Sequence, residues 1–299
     1  MKKLICTVMA GAMLALSFAG CGNNSSAVND SSPANSDSSV GSGITGAITV
    51  VSREDGSGTR GAFTELLGIL DNQENDATTE TAEITNSTSV MISTVAGNTN
   101  AIGYVSLGSL SDTVKSVKVD GVECTANNIK SGEYKVARPF SLAYCDGELS
   151  ETAQDLIDYI MSSDGQAIVE KEGYIPIEGG TEYKSKNLEG KITVAGSTSV
   201  APLMNVIADE YKNLNPNVSI EIQESGSTAG IQSATEKAVD IGMSSRELKD
   251  EETKTLTAKQ IAMDGIAVIV NQSNTTDDLT SDMIKSIYLG ETTVWDEIQ

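Results

Sequence analysis

Apolar and polar positions fall into blocks that read as strand, polar turn and amphipathic helix, three times along the chain. In the first block, Ala47-Ile-Thr-Val-Val51 predicts a strand and Ser52–Thr59 a turn. Phe63, Leu66, Leu67 and Leu70 then fall at i, i+3, i+4 and i+7, the spacing of one helix face. The second block is Ile192-Thr-Val-Ala195, the turn Gly196-Ser-Thr-Ser199, and a helix whose apolar face is Val200, Leu203, Met204, Ile207, Ala208 and Tyr211. Asn215-Pro216 closes that helix. The third is the strand Val218–Ile222, the turn Ser225-Gly-Ser-Thr228 and a helix from about Ala229. Strands alternating with helices predict an α/β fold.

Upstream the pattern changes. Lys2 and Lys3 precede an apolar stretch, Leu4–Ala19, that ends in small residues before Cys21. This order predicts a signal peptide over residues 1–20, with Cys21 lipidated as the first residue of the mature chain. Phe18 stands where such a cleavage box usually carries Leu, and ordinary secretion with Cys21 as a bystander is the alternative. Residues 22–45 are mostly Ser, Asn, Asp and Gly. Such a segment cannot bury enough apolar surface to order itself, so 21–45 reads as a lipidated cysteine and disordered tether. The expected location is extracytoplasmic, lipid-anchored to the cell membrane. Cys6 leaves with the signal. Cys124 and Cys145 remain, in a compartment that permits a disulfide, and their spacing does not decide whether one forms.

Composition narrows the chemistry. The 299 residues carry 20 Lys plus Arg against 42 Asp plus Glu, a net charge of −22, and no histidine. Without histidine there is no Ser-His or Cys-His catalytic pair and no His-ligated metal site. The acidity argues against gripping a nucleic-acid backbone, which needs a basic stripe. No Gly-Lys-Ser/Thr of a phosphate loop occurs, and no G-x-S-x-G, S-x-x-K or C-x-x-C. Residues 56–61 carry the spacing G-x-G-x-x-G, which on its own is a weak signal of a dinucleotide turn. What the three turns do offer is Gly, Ser and Thr where a strand hands over to a helix. The first amides of a helix lack internal partners and its dipole is positive there, so an anion is favoured. Each turn taken singly is also what an ordinary Ser/Thr N-cap looks like. Three in one chain, one beside Arg53, point to an oxyanion.

Five motifs then resemble one family. They are GSTSVAPL (196–203), ESGSTAGI (224–231), DIGMSSREL (240–248), AMDGIAVIVN (262–271) and SREDGSGTR (52–60). Together they resemble the phosphate-binding lipoproteins of bacterial phosphate ABC transporters, over about 46–299. The order of the halves differs from the family's: residues 46–180 resemble its second half and 190–299 its first. The chain therefore reads as circularly permuted, with Thr181–Gly190 joining the ancestral ends. The alternative is a rearranged chain whose halves pair only with another molecule. The resemblance implies a two-lobed type II periplasmic-binding-protein fold with a hinge and an interlobe cleft. One lobe would be discontinuous, 46–136 plus 263–299, and the other continuous, 137–262.

Carried over residue by residue, the resemblance assigns phosphate binding to Thr198, Ser199, Ser227, Ser245, Arg53, Ser57, Gly58 and Thr59. Asp55 would orient Arg53 through a salt bridge. Many members carry Asp where this chain has Ser245, so selectivity over sulfate would be relaxed or assigned to another acid, with Glu224 and Asp55 as candidates. Arg246 is either a second cation or a surface ion pair. The expected partners are inorganic phosphate and the membrane permease of a phosphate ABC transporter, with no cofactor, metal or catalytic residue. Binding of another tetrahedral oxyanion such as sulfate, or a ligand-free sensor or adhesin, are the alternatives.

Overall fold

The structure, a computed structural model, describes residues 44–298. The signal segment, Cys21 and most of the tether lie outside the described residues. The first half of the chain forms β1 (Thr49–Arg53), α1 (Gly58–Leu66), β2 (Glu83–Thr85), α2 (Thr88–Gly97), β3 (Ala101–Ser106), β4 (Val114–Ser116), β5 (Lys118–Val119), α3 (Ala126–Lys130) and β6 (Ala137–Tyr144). Then come α4 (Glu151–Ile160), α5 (Ser163–Lys171), β7 (Ile175–Pro176), β8 (Gly190–Gly196), α6 (Ala201–Leu214) and β9 (Val218–Glu224). The chain finishes with α7 (Ser227–Thr235), β10 (Ile241–Ser244), β11 (Thr257–Asn271), β12 (Asp278–Leu279) and α8 (Ser281–Leu289).

One sheet runs β2-β1-β3-β11-β6-β10-β8-β9, with β4 and β7 also on β11. Its ends are parallel: β1 pairs β2 and β3, and β8 pairs β9 and β10. Between them β3, β11, β6 and β10 pair antiparallel. The parallel ends need crossover helices on their faces, so their central strands are buried on both sides. All of β3 is buried, as are the last eight residues of β11.

Two large apolar cores form. One gathers Phe63, Tyr104, Val268, Tyr288 and Trp295, with Phe63 stacked on Tyr104 at 4.0 Å between ring centroids. The other gathers Phe140, Leu156, Ile192, Leu203 and Tyr211. β6 and β11 belong to both. Ile266 to Val270 pack into the first core, whereas Ile261, Ala262, Phe140 and Leu142 pack into the second. Each fully buried side chain of this size stabilises by roughly 1.5–3 kcal/mol.

The α6 face is as the spacing predicts: Leu203, Met204, Ile207, Ala208 and Tyr211 are buried. The first helix differs. It ends at Leu66, because Gly68 turns left-handed at φ +65° and the backbone leaves the helix. Ile69 therefore enters the core, Leu70 is only half-buried, and Leu66 is 45% exposed. The third helix begins at Ser227, not near Ala229, with Gly226 as its N-cap at φ +86°. Cys124 and Cys145 are both free thiols. Cys124 packs in the first core and Cys145 against a small cluster with Ala143 and Ile231.

The two ends of the described chain meet. Ala47 bridges Val294, the Ile48 amide donates to Thr293 O at 2.8 Å, and the Trp295 amide donates to Gly46 O at 2.9 Å. The segment 181–190 is also held. The Tyr183 hydroxyl donates to Asp155 Oδ2 at 2.5 Å, as Tyr211 does at 2.8 Å, and Lys186 Nζ reaches Asp155 Oδ1 at 2.8 Å. Burial works to raise the Asp155 pKa, but Lys186 and the two tyrosines together hold it below its ordinary value. A carboxylate shifted down stabilises the fold above its unfolded pKa of about 3.9, and that contribution is lost as pH falls through the lower folded value. Asp155→Ala should lower unfolding stability by about 2–3 kcal/mol in urea at pH 7, because the buried Tyr211 hydroxyl and the half-buried Tyr183 hydroxyl lose their acceptor. The difference from the parent should shrink below about pH 4.

Candidate functional site

The site is built where strands hand over to helices. β1 delivers Arg53 at its last position, 2% exposed. The end of that strand is fixed from several sides. The Glu54 amide donates to Thr85 O at 2.9 Å, the Arg53 amide to the Tyr104 hydroxyl at 3.2 Å, and Arg60 Nη1 to Arg53 O at 2.8 Å. Ser57 then caps α1, its side chain accepting from the Arg60 amide, so Gly58 and Thr59 occupy the first turn. Amides there have no intrahelical acceptor and face outward as donors.

From the second core, β8 leads to Thr198 and Ser199 before α6. β9 leads through Gly226 to Ser227 at the start of α7, and β10 to Ser245. These hydroxyls meet those of the first core. Arg53 Nη2 donates to Thr198 Oγ1 at 3.0 Å, and Thr59 Oγ1 lies 2.8 Å from Ser199 Oγ. Ser227 Oγ lies 3.3 Å from Ser245 Oγ and accepts from the Ser245 amide at 3.1 Å. Gly58 sits against both: a Cβ there would run into Ser227 Oγ and would stand 2.7 Å from Ser245 Oγ. The structure thus brings Arg53, Ser57, Gly58, Thr59, Thr198, Ser199, Ser227 and Ser245 to one buried place.

The arrangement corrects one assignment. Asp55 does not orient Arg53. It points outward, with 98% of its side chain exposed, and pairs with Arg60 at 3.0 Å. Glu54 holds Arg53 instead, Nε to Oε2 at 2.7 Å and Nη2 to Oε1 at 2.8 Å. The cause is the turn that starts at Glu54, which sends successive side chains in different directions as the strand ends. Glu224 is exposed at the end of β9. Arg246 forms a bidentate ion pair with Glu252, both contacts 2.8 Å, and reaches Thr228 Oγ1 at 3.3 Å.

Several residues were missed from the sequence. Thr88 Oγ1 lies 3.1 Å from Thr198 Oγ1 and 3.2 Å from Ser199 Oγ. Its signal was present: Asn86-Ser-Thr-Ser89 is a fourth polar turn between a strand and a helix. Arg138 and Asp264 form a buried pair opposite each other on β6 and β11, Nη2 to Oδ2 at 3.1 Å. Arg138 Nη1 also donates to Ser245 O at 3.0 Å, which ties the strands common to both cores to the site. Burial raises the Asp264 pKa to about 6 against the opposing pull of Arg138, Ser106 and the Leu107 amide. The available signal was one charged residue in each of two largely apolar stretches, Arg138 in β6 and Asp264 within Ile261–Val270 of β11. Among the described residues no group of His, Cys, Asp and Glu could hold a metal ion, and no helix is long and apolar enough to cross a membrane.

Parallel sheet ends on two cores, with helix starts converging between them, define the class. A PBP superfamily domain matches residues 27–164 and 181–299, and the chain belongs to that superfamily. It belongs, more closely, to one family with "Phosphate-binding protein PstS 2" of Streptococcus agalactiae, to which it is 46% identical over 302 aligned positions, 99% of this chain and 98% of that protein. The crystal structure of a phosphate ABC transporter phosphate-binding protein from Streptococcus pneumoniae TIGR4 is 47% identical, with a TM-score of 0.70 over 85% of this chain and all of that one. "Phosphate-binding protein PstS" of Pseudomonas aeruginosa is 34% identical over 116 residues, 36% of each chain.

Gly58→Ala should push Ser227 and Ser245 away from α1, costing about 1–3 kcal/mol of stability by overpacking, and weaken anion binding. Calorimetric titration with phosphate checks it, and an unchanged affinity would show that the close approach is not needed.

Proposed function

We propose that the protein is a solute-binding lipoprotein that captures inorganic phosphate between its two cores and delivers it to the permease of a phosphate ABC transporter. One observation carries this reading: helix-start turns from both cores, their hydroxyls and the buried Arg53 converge on one point. Hydroxyls rotate to suit an oxyanion, helix-start amides add donors, and the guanidinium adds charge-assisted bonds. Capture and release need no bond making, the chain has no histidine, and among the described residues no cluster could hold a metal ion. The relatives' names support phosphate and a transporter of this class.

The two cores are the two lobes in this reading, with 46–136 and 263–299 in one and 137–262 in the other, and β6 and β11 as the hinge. Closure about such a hinge is a common response to a ligand. We also infer that the halves are circularly permuted. The bridge between Ala47 and Val294 supports this, because permutation is tolerated where the opened and joined segments lie close together. So does the contrast between a full-length match to the Streptococcus agalactiae protein and a one-third match to the Pseudomonas aeruginosa one. The amino-terminal signal and Cys21 support an extracytoplasmic head on a lipid anchor.

Titration of the purified protein, stripped of anion, with phosphate and then sulfate tests the reading. One-to-one phosphate binding is expected, and no heat from a folded protein with either anion would refute it. Arg53→Met should weaken phosphate about 10- to 100-fold, the range for losing a charged hydrogen-bonding group. Cys21→Ala should move the protein from the membrane fraction to the medium, seen by immunoblot of cell fractions.

A further inference from the structure

Hydrogen-bond donors converge on one buried carboxylate in the strands common to both cores. Asp264, on β11, is fully buried. Its Oδ1 accepts from Ser106 Oγ at 2.8 Å and from the Leu107 amide at 3.1 Å, and its Oδ2 from Arg138 Nε at 3.3 Å and Nη2 at 3.1 Å. The Arg138 guanidinium, buried as well, stands 5.3 Å over the Phe140 ring. Its remaining nitrogen leaves the pair, Nη1 donating to Ser245 O at 3.0 Å. One guanidinium therefore touches Asp264 on one side and the hydroxyl cluster on the other, and it lies close enough to Arg53 for the two cations to repel. The other groups that feel the charge of Asp264 do not titrate near neutrality. Cys124 and Tyr134 flank α3, and Tyr174 precedes β7. Burial raises all three, Cys124 to about 12, so each keeps its proton, and an arginine keeps its charge. Asp264 is the exception, since burial lifts its carboxyl only to about 6 against the pull of Arg138 and Ser106.

We propose that Asp264 is a positioning residue that couples anion capture to a proton: ionised, it claims the charge of Arg138, and protonated, it leaves that charge to the anion held beside Ser245. The proposal rests on the phosphate-capture reading. A negative charge arriving next to Arg138 competes with Asp264 for the same cation and repels the carboxylate directly. It therefore raises the affinity of Asp264 for a proton, and by linkage the proton raises the affinity for the anion by the same factor. Without an anion, a neutral Asp264 leaves Arg138 a buried and unpaired cation, which is costly, and the anion removes that cost. Anion affinity is accordingly highest below the pKa of Asp264 in the empty site. It falls as pH rises from there to the higher pKa of the occupied site, and is level above it.

The test is calorimetric titration of the full-length protein, stripped of anion, with inorganic phosphate between about pH 5 and 8. Phosphate changes its own protonation over that range, so each variant is read against the parent at the same pH. Asp264→Asn holds the position neutral at every pH. The affinity of the parent relative to Asp264→Asn should fall about 5- to 20-fold as pH rises, with the fall beginning near 6. Ser106→Ala removes one hydrogen bond to the carboxylate and should move that fall to higher pH, which also covers the case where Asp264→Asn does not fold. Parallel pH profiles for the parent and Asp264→Asn overturn the proposal. So does a relative affinity that rises with pH, and so does a profile that Ser106→Ala leaves unmoved. A parent that takes no phosphate at any pH refutes the capture reading itself, and is seen before any variant is compared.

Discussion

The guanidinium of Arg53 is buried where two separately cored parts of the chain meet, and much of the local structure answers to that fact. A buried cation must be paired and its donors satisfied, or the charge is driven out. Glu54 supplies the charge and Thr198 a neutral acceptor from the opposite core. To hold the guanidinium there, the end of β1 is pinned by Thr85, Tyr104 and Arg60. The ion pair is therefore also a contact between cores: moving the cores apart breaks the Thr198 bond and opens the hydroxyl layer behind it.

That layer is nearly all Ser and Thr. Neutral hydroxyls suit a place that must be wetted or desolvated in turn, since each can donate, accept and rotate without the large desolvation cost of a charge. Helix starts add donors fixed by the backbone, which require no reorganisation when an anion arrives. Gly58 shows how tight the approach is, with Ser227 and Ser245 where a side chain would be. The net charge of −22 bears little on this chemistry. At about 0.15 M salt the field of surface acids decays over ~8 Å, while the site's donors act at contact.

β6 and β11 do a second job. They pass from one core into the other, and at their crossing Arg138 and Asp264 pair with both carboxylate and guanidinium buried. Arg138 also holds the Ser245 carbonyl, so the strands that join the cores position part of the site. The joined ends near Ala47 and Val294, and the anchored segment around Tyr183, show the same economy. Both places are tied back by hydrogen bonds.

The strand–turn–helix units and the apolar face of α6 were legible in the chain, and the eight positions that the family resemblance proposed for an anion come together in the fold. These features are local: periodicity, a Gly-Ser-Thr turn and an arginine beside it are set by neighbours in sequence, and helix-start physics then says what they attract. The early end of α1 was legible less well, because Gly68 competes with the leucine spacing and a left-handed residue wins over periodicity. Partnership was decided only by folding. Glu54 and Asp55 are adjacent acids beside the same arginine, and only the direction of the turn makes Glu54 the partner of Arg53 and leaves Asp55 to Arg60. Thr88 and Arg138 reach the site from distant segments through sheet register and helix placement, and Asp264 pairs with Arg138 across the same register. Charge pairing over such separations depends on three-dimensional approach, which no spacing along the chain encodes.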